Sequence, residues 1–197
     1  MMTYDALLFD FDGVLADTER AHHSSWNEIL EPFGIQFTWP EYLKQCVGVA
    51  DILVAERLKL PNPVDVVARK QQVFRETLER NPPFLTETLV LIRELARTHR
   101  MAVVSSSYRT EVMPPLQRAG LLPYFEDVIF GNDVKYFKPA PDPYLLAVER
   151  LRVRSPLVIE DSDAGVAAGK AAGLEVLRVT GVEQMPSELR AHLAKHP

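Results

Sequence analysis

Five short apolar runs, separated by stretches with helical spacing, constrain the fold of this chain more than any other feature. They are Ala6 to Phe9, Met101 to Val104, Val128 to Phe130, Leu157 to Ile159 and Glu175 to Val179. Runs of this length suit parallel strands covered on both faces. Leu89, Ile92, Leu95 and Ala96 precede the second run, and Val112, Leu116 and Ala119 follow it, stopping at Gly120. Tyr144, Leu145, Val148 and Leu151 precede the fourth, and Val166 to Ala172 follows it, stopping at Gly173. Glycine ends helices well because it tolerates the left-handed conformation. Strands alternating with helices predict an α/β fold: a doubly wound parallel sheet, Rossmann-like, with helices on both faces.

The gap between the first two runs breaks that rhythm. Thr18 to Pro83 shows helical stripes and no strand pattern: Trp26, Ile29, Leu30 and Phe33; then Ile52, Leu53, Ala55 and Leu58; then Val66, Val67, Lys70, Val73, Phe74 and Leu78. A crossover needs only about 10–12 residues including its helix. The expected organisation is therefore a catalytic core of residues 1–17 and 84–197, interrupted by an α-helical cap at 18–83. An insertion placed just after the first strand is suited to act as a lid.

Composition narrows the class. A net charge of −5 and a pI near 5.6 argue against a broad nucleic-acid surface. No apolar run approaches the roughly 18 residues of a membrane span, and the amino terminus lacks a basic segment followed by an apolar one. The single Cys46 excludes an internal disulfide and reads as a buried thiol in a reducing, cytoplasmic setting.

The chemistry gathers where strands end. The first run ends in Asp10 and Asp12, the second in Ser105-Ser106-Ser107, and the fourth in Glu160-Asp161-Ser162, while Lys138-Pro139-Ala140-Pro141-Asp142 lies between the second and fourth. Open α/β sheets bind ligands at the carboxyl edge of their strands. Adjacent carboxylates repel unless a cation or a shared proton relieves them. Asp10 and Asp161 offer hard oxygen ligands of the kind Mg²⁺ prefers. Ser105 offers a hydroxyl, and the start of the following helix favours an anion. Lys138 offsets the acids. Singly, each has a plain structural explanation: a turn, a helix cap, a loop lysine or a helix start. The four together point to phosphoryl transfer, which asks mainly for alignment and charge neutralisation.

Those four segments, from Asp10-Phe11-Asp12-Gly13-Val14-Leu15-Ala16-Asp17-Thr18 to Glu160-Asp161-Ser162, resemble the haloacid dehalogenase superfamily. The resemblance spans essentially the whole chain and lies in the small-helical-cap branch that includes β-phosphoglucomutase and phosphoglycolate phosphatase. It implies that Asp10 is the nucleophile forming an aspartyl-phosphate and that Asp12 is the general acid and then the base. It also implies that Ser105, with Ser106 beside it, and Lys138 hold the phosphoryl group. Asp10, Asp161 and the main-chain carbonyl of Asp12 would bind Mg²⁺, with Glu160 acting through water. Gly13 would give the backbone freedom to move. Dehalogenases of the superfamily lack an acid equivalent to Asp12, so Asp12 argues against dehalogenation.

His22 falls where relatives carry a histidine at the start of the first cap helix, where it would couple cap closure to Asp12. An exposed helix histidine is the alternative, and it suits His23 better. Asp163 reads as a first-turn helix residue. Lys70 reads as a residue of a solvated helix face, with reach to the substrate as the lesser alternative. β-Phosphoglucomutases grip a second phosphate with a cap arginine after a Gly-Val-Ser-like stretch. Here Gly48-Val49-Ala50-Asp51 has a carboxylate instead. The expected activity is a Mg²⁺-dependent phosphatase acting on a small phosphorylated metabolite such as a sugar phosphate or phosphoglycolate. The alternatives are a sugar-phosphate mutase and a non-catalytic binding protein. The assembly, monomer or homodimer, stays open.

Overall fold

The computed structural model describes residues 4–196, so residues 1–3 and 197, at the two ends of the expected core, lie outside the described residues. A five-stranded sheet forms the centre, with β1 Leu7–Phe9, β2 Met101–Val104, β3 Asp127–Ile129, β4 Leu157–Glu160 and β5 Glu175–Arg178 in the order β3-β2-β1-β4-β5. All neighbours are parallel, and Leu7 stands opposite both Met101 and Leu157. The chain leaves β1 in one direction to build β2 and β3, then returns to its other side for β4 and β5. That reversal opens a crevice at the carboxyl end of β1.

Alternation along the strands divides the core in two. Leu7, Phe9, Met101, Val103, Leu157 and Ile159 face one side. There they meet α5 (Thr86–Leu95), α6 (Arg109–Arg118) and α9 (Met185–Lys195), through Leu91, Val112, Leu116 and Leu189. Leu8, Ala102, Val104 and Val158 face the other. They pack on Tyr144 and Ala147 of α7 (Asp142–Leu151) and Ala168 of α8 (Asp163–Ala171). The fifth run departs from the expectation of a strand covered on both faces. β5 is an edge strand whose residues are half-buried or exposed, and Val179 lies beyond its end.

Between β1 and α5 the chain forms α1 (Glu19–Leu30), α2 (Trp39–Gln45), α3 (Asp51–Arg57) and α4 (Pro63–Arg80). Trp26, Leu30, Tyr42, Val54, Ala55 and Val67 close a separate apolar cluster. The sequence stripes miss α2, whose start is fixed by a Thr38–Glu41 capping box with Pro40 in the first turn. They also miss α9, which buries Met185 and Leu189. Among the described residues no helix is long and apolar enough to cross a membrane.

Candidate active site

The side chains singled out at the strand ends meet in one crevice. Asp10 follows β1 directly, and its main-chain N–H donates to Ile159 O at 3.0 Å, which ties it to β4. Its Oδ1 accepts from Lys138 Nζ at 2.8 Å. Lys138 is 2% exposed and also donates to Glu160 Oε1 at 2.6 Å and Val104 O at 2.9 Å. A buried ammonium is tolerated only when it is paired and hydrogen-bonded. Here all three N–H groups are used, across β1, β2 and β4.

Glu160 is fixed from every side. Tyr144 OH donates to Oε1 at 2.7 Å, and Oε2 accepts from Ser162 Oγ at 3.1 Å and Asp161 N at 3.2 Å. Asp10, Glu160 and Asp161 each offer a carboxylate oxygen, all within 4.8 Å of one another. Burial, then Glu160, raises the Asp10 carboxyl well above its ordinary range, against the pull of Lys138. Burial and Glu160 push Asp161 up to about 7. Asp161 Oδ1 and Ser106 Oγ are buried without a hydrogen-bond partner, and both residues line the crevice. Unpaired buried polar atoms are rare and costly. A hard divalent cation fits the first and an anion the second. Gly13, with φ +78°, lets the chain pass here, since a Cβ would lie 2.2 Å from Asp161 Oδ2.

The Asp12 carboxylate turns away from this trio. Oδ1 accepts from Thr18 Oγ1 at 2.6 Å and meets His22 Nε2 at 3.1 Å. Oδ2 accepts from Ser107 Oγ at 2.8 Å and Ser105 Oγ at 3.3 Å. Burial alone would raise Asp12, but His22, Thr18 and Ser107 more than offset it and hold the carboxyl well below the usual range. Ser105 Oγ also accepts from the Ser107 main-chain N–H at 2.9 Å, so Ser105 shapes the turn as well as facing Asp12.

His22 is buried, stacked on Phe74, and bonded on both ring nitrogens: Nε2 to Asp12 and Nδ1 to Lys70 Nζ. With Lys70 donating to Nδ1, the ring proton sits on Nε2 and points at Asp12. The exposed-histidine alternative does not hold for His22. His23 is half-buried, with Nε2 2.8 Å from Phe37 O. The solvated-face reading of Lys70 is corrected too. The residue is fully buried and donates to Asp51 Oδ2 at 2.6 Å and Glu111 Oε1 at 3.2 Å. It shares the apolar stripe of Val66, Val67, Phe74 and Leu78, which carries it inward. Asp163 opens α8 behind the Ser162 cap, as expected.

Thr18, Ser107, Glu111 and Tyr144 escape a sequence-only search. Thr18 and Ser107 lie within the quoted motifs, but only the folded loop aims their hydroxyls at Asp12. Glu111 and Tyr144 sit on helices with no motif to mark them. The crevice continues away from the sheet through Glu19, Trp26, Tyr42 and Asp51 on one side and Tyr108 and Glu111 on the other.

The family profile described as haloacid dehalogenase-like hydrolase matches residues 7–179. A phosphorylated carbohydrates phosphatase of Thermotoga maritima is 33% identical over 189 residues, covering 90% of this chain and 85% of its own. The fructose-1-phosphate phosphatase YqaB of Escherichia coli is 30% identical over 185 residues, covering 89% and 96%. The crystal structure of CbbY from Rhodobacter sphaeroides in complex with phosphate superposes with a TM-score of 0.81 at 28% identity, covering 92% and 87%. The chain belongs to the haloacid dehalogenase-like hydrolase family.

Proposed function

We propose that the protein is a Mg²⁺-dependent phosphatase that hydrolyses a small phosphomonoester, a sugar phosphate by the likeness of its relatives, through an aspartyl-phosphate. The observation that carries this is the convergence of Asp10, Asp161, Lys138 and Ser106 on one crevice, with Asp161 Oδ1 and Ser106 Oγ buried and unpaired. Asp10, Asp161 and the Asp12 main-chain carbonyl would hold Mg²⁺, with Glu160 behind them. When bound, the metal supplies charge neutralisation at the phosphoryl group.

This chain's own groups do the rest. Asp10 attacks phosphorus, and the bond to the leaving oxygen breaks as that oxygen takes a proton through Asp12, which is ionised in the free site and takes that proton up from the phosphomonoester as it binds. Asp12, now ionised and held by His22, Thr18 and Ser107, accepts a proton from the water that releases phosphate from Asp10. Ser105 and Ser106 hold the phosphoryl oxygens, and Lys138, its N–H groups taken by Asp10, Glu160 and Val104 O, offsets the negative charge that gathers there. His22 and Lys70 position Asp12 without touching substrate. Residues 18–83 act as the cap, closing over the leaving group, and 4–17 with 84–196 as the core. The work is placed in the cytoplasm, the setting that a single buried thiol suits. Phosphate release from sugar phosphates should require Mg²⁺ and vanish in Asp10→Asn. Release that survives this change would reject the reading.

A further inference from the structure

Among the described residues, the side of the crevice away from the sheet carries carboxylates and no free cation. Glu19 from α1, Asp51 from α3 and Glu111 from α6 line it beside Trp26, Tyr42 and Tyr108. Lys70 is the cation nearest to them. Its three N–H groups are spent on Asp51, Glu111 and His22, and its side chain has no exposure. Lys138, on the core side, is equally consumed by Asp10, Glu160 and Val104. No arginine lines the crevice among the described residues. The arginines of α1, α3 and α6 are engaged elsewhere: Arg20 over the Trp39 ring, Arg57 on Gln45 O, Arg109 over Phe130 and Arg118 beside Glu79.

Asp51 is held rigidly in this wall. Trp26 Nε1 donates to Oδ1 at 3.2 Å and Lys70 to Oδ2 at 2.6 Å, which leaves each oxygen a lone pair to offer. Tyr42 OH occupies Glu19 Oε2. An ionised carboxylate only accepts hydrogen bonds. A hydroxyl or ammonium on the leaving group would find partners here, whereas an anionic group would meet like charge with nothing to donate to it. In a site screened from water, that mismatch is large.

Building on the phosphatase reading, we propose that the enzyme selects phosphomonoesters whose leaving alcohol bears hydroxyl or ammonium groups and no negative charge, with Asp51 as the discriminating residue and Glu19 in support. Esters carrying a second phosphate or a carboxylate on the leaving group are rejected.

A charge series on one small scaffold tests this: phosphoglycolate, 2-hydroxyethyl phosphate and phosphoethanolamine, with glucose 6-phosphate against 6-phosphogluconate as a larger pair. All are assayed for phosphate release with Mg²⁺, and p-nitrophenyl phosphate reports hydrolysis as such. The expected kcat/KM is at least tenfold higher for the neutral member of each pair than for its carboxylate partner, with phosphoethanolamine no worse than 2-hydroxyethyl phosphate. Asp51→Asn should shrink the neutral-to-anionic ratio at least threefold. Glu19→Gln, which leaves the Lys70 network intact, should shrink it as well if Asp51→Asn does not fold. Equal or better hydrolysis of the carboxylate esters overturns the selectivity and leaves the phosphatase intact. A ratio unmoved in both variants overturns the role of these carboxylates. No hydrolysis of any ester, p-nitrophenyl phosphate included, overturns the phosphatase reading itself.

Discussion

At the scale of single residues, the site is a set of charges that cannot rest without one another. Asp161, pushed up to about 7 by burial and by Glu160, is the clearest case. Its folded value lies above the unfolded one, so it favours the fold fully below its ordinary range near 4 and loses that contribution as pH rises through about 7. In the proposed reading a cation takes the place of that proton. Added Mg²⁺ should therefore raise the melting temperature more at pH 8 than at pH 5.5, and Asp161→Asn should abolish the difference; equal shifts at both pH values would contradict this. Cys46 behaves in the opposite spirit, as a group kept out of chemistry. It is buried, and burial pushes its thiol up to about 12. A thiol reagent at pH 8 should label it only after denaturation. Rapid labelling of the native protein would show that the cap opens as far as this residue.

At the scale of elements, one lysine joins four helices. Lys70 of α4 binds Asp51 of α3, Glu111 of α6 and His22 of α1. Removing one partner of a buried ionic cluster leaves uncompensated charge and costs about 3–5 kcal/mol. Lys70→Met should lower unfolding free energy by that order in a denaturant titration, with loss of kcat because His22 then loses its orientation toward Asp12. A change below about 1 kcal/mol, the scale of an exposed pair, would sink the buried-cluster account. The loop before α3 makes a second junction. Gly48 has φ +72°, and a Cβ there would lie 2.6 Å from Ser162 Oγ on the core. Gly48→Ala should leave the fold intact by circular dichroism while reducing kcat/KM, since the loop can no longer seat against α8; full activity would contradict that closure.

Legibility from sequence also divides by element. β1, β2 and β4 announce themselves because buried parallel strands must be continuously apolar, and the acids that stop them, Asp10 and Glu160-Asp161, mark the sheet edge. β5 misleads because an apolar composition does not say which strand ends the sheet. α2 is too short for a periodic stripe, and its signal lies in the Thr38–Glu41 capping box instead. Lys70 is the most instructive miss. Its spacing with Val66, Val67 and Phe74 already placed it on the buried stripe, but its partners Asp51 and Glu111 lie 19 and 41 positions away. Nothing local tells a paired lysine from a solvated one.

At the scale of the whole molecule, a sheet supplies the fixed carboxylates and an inserted helical cluster supplies the wall facing the leaving group. In the proposed reading, chemistry and choice of substrate reside on separate parts of one crevice, joined through His22 and Asp12. The account as a whole turns on a covalent bond between Asp10 and phosphorus. Its most direct test is to quench turnover in acid, with a sugar phosphate and Mg²⁺ present, and to map the phosphorylated peptide. The account predicts phosphate on Asp10, absent from Asp10→Asn, which releases no product. Phosphate on another residue, or undiminished release by Asp10→Asn, would contradict it.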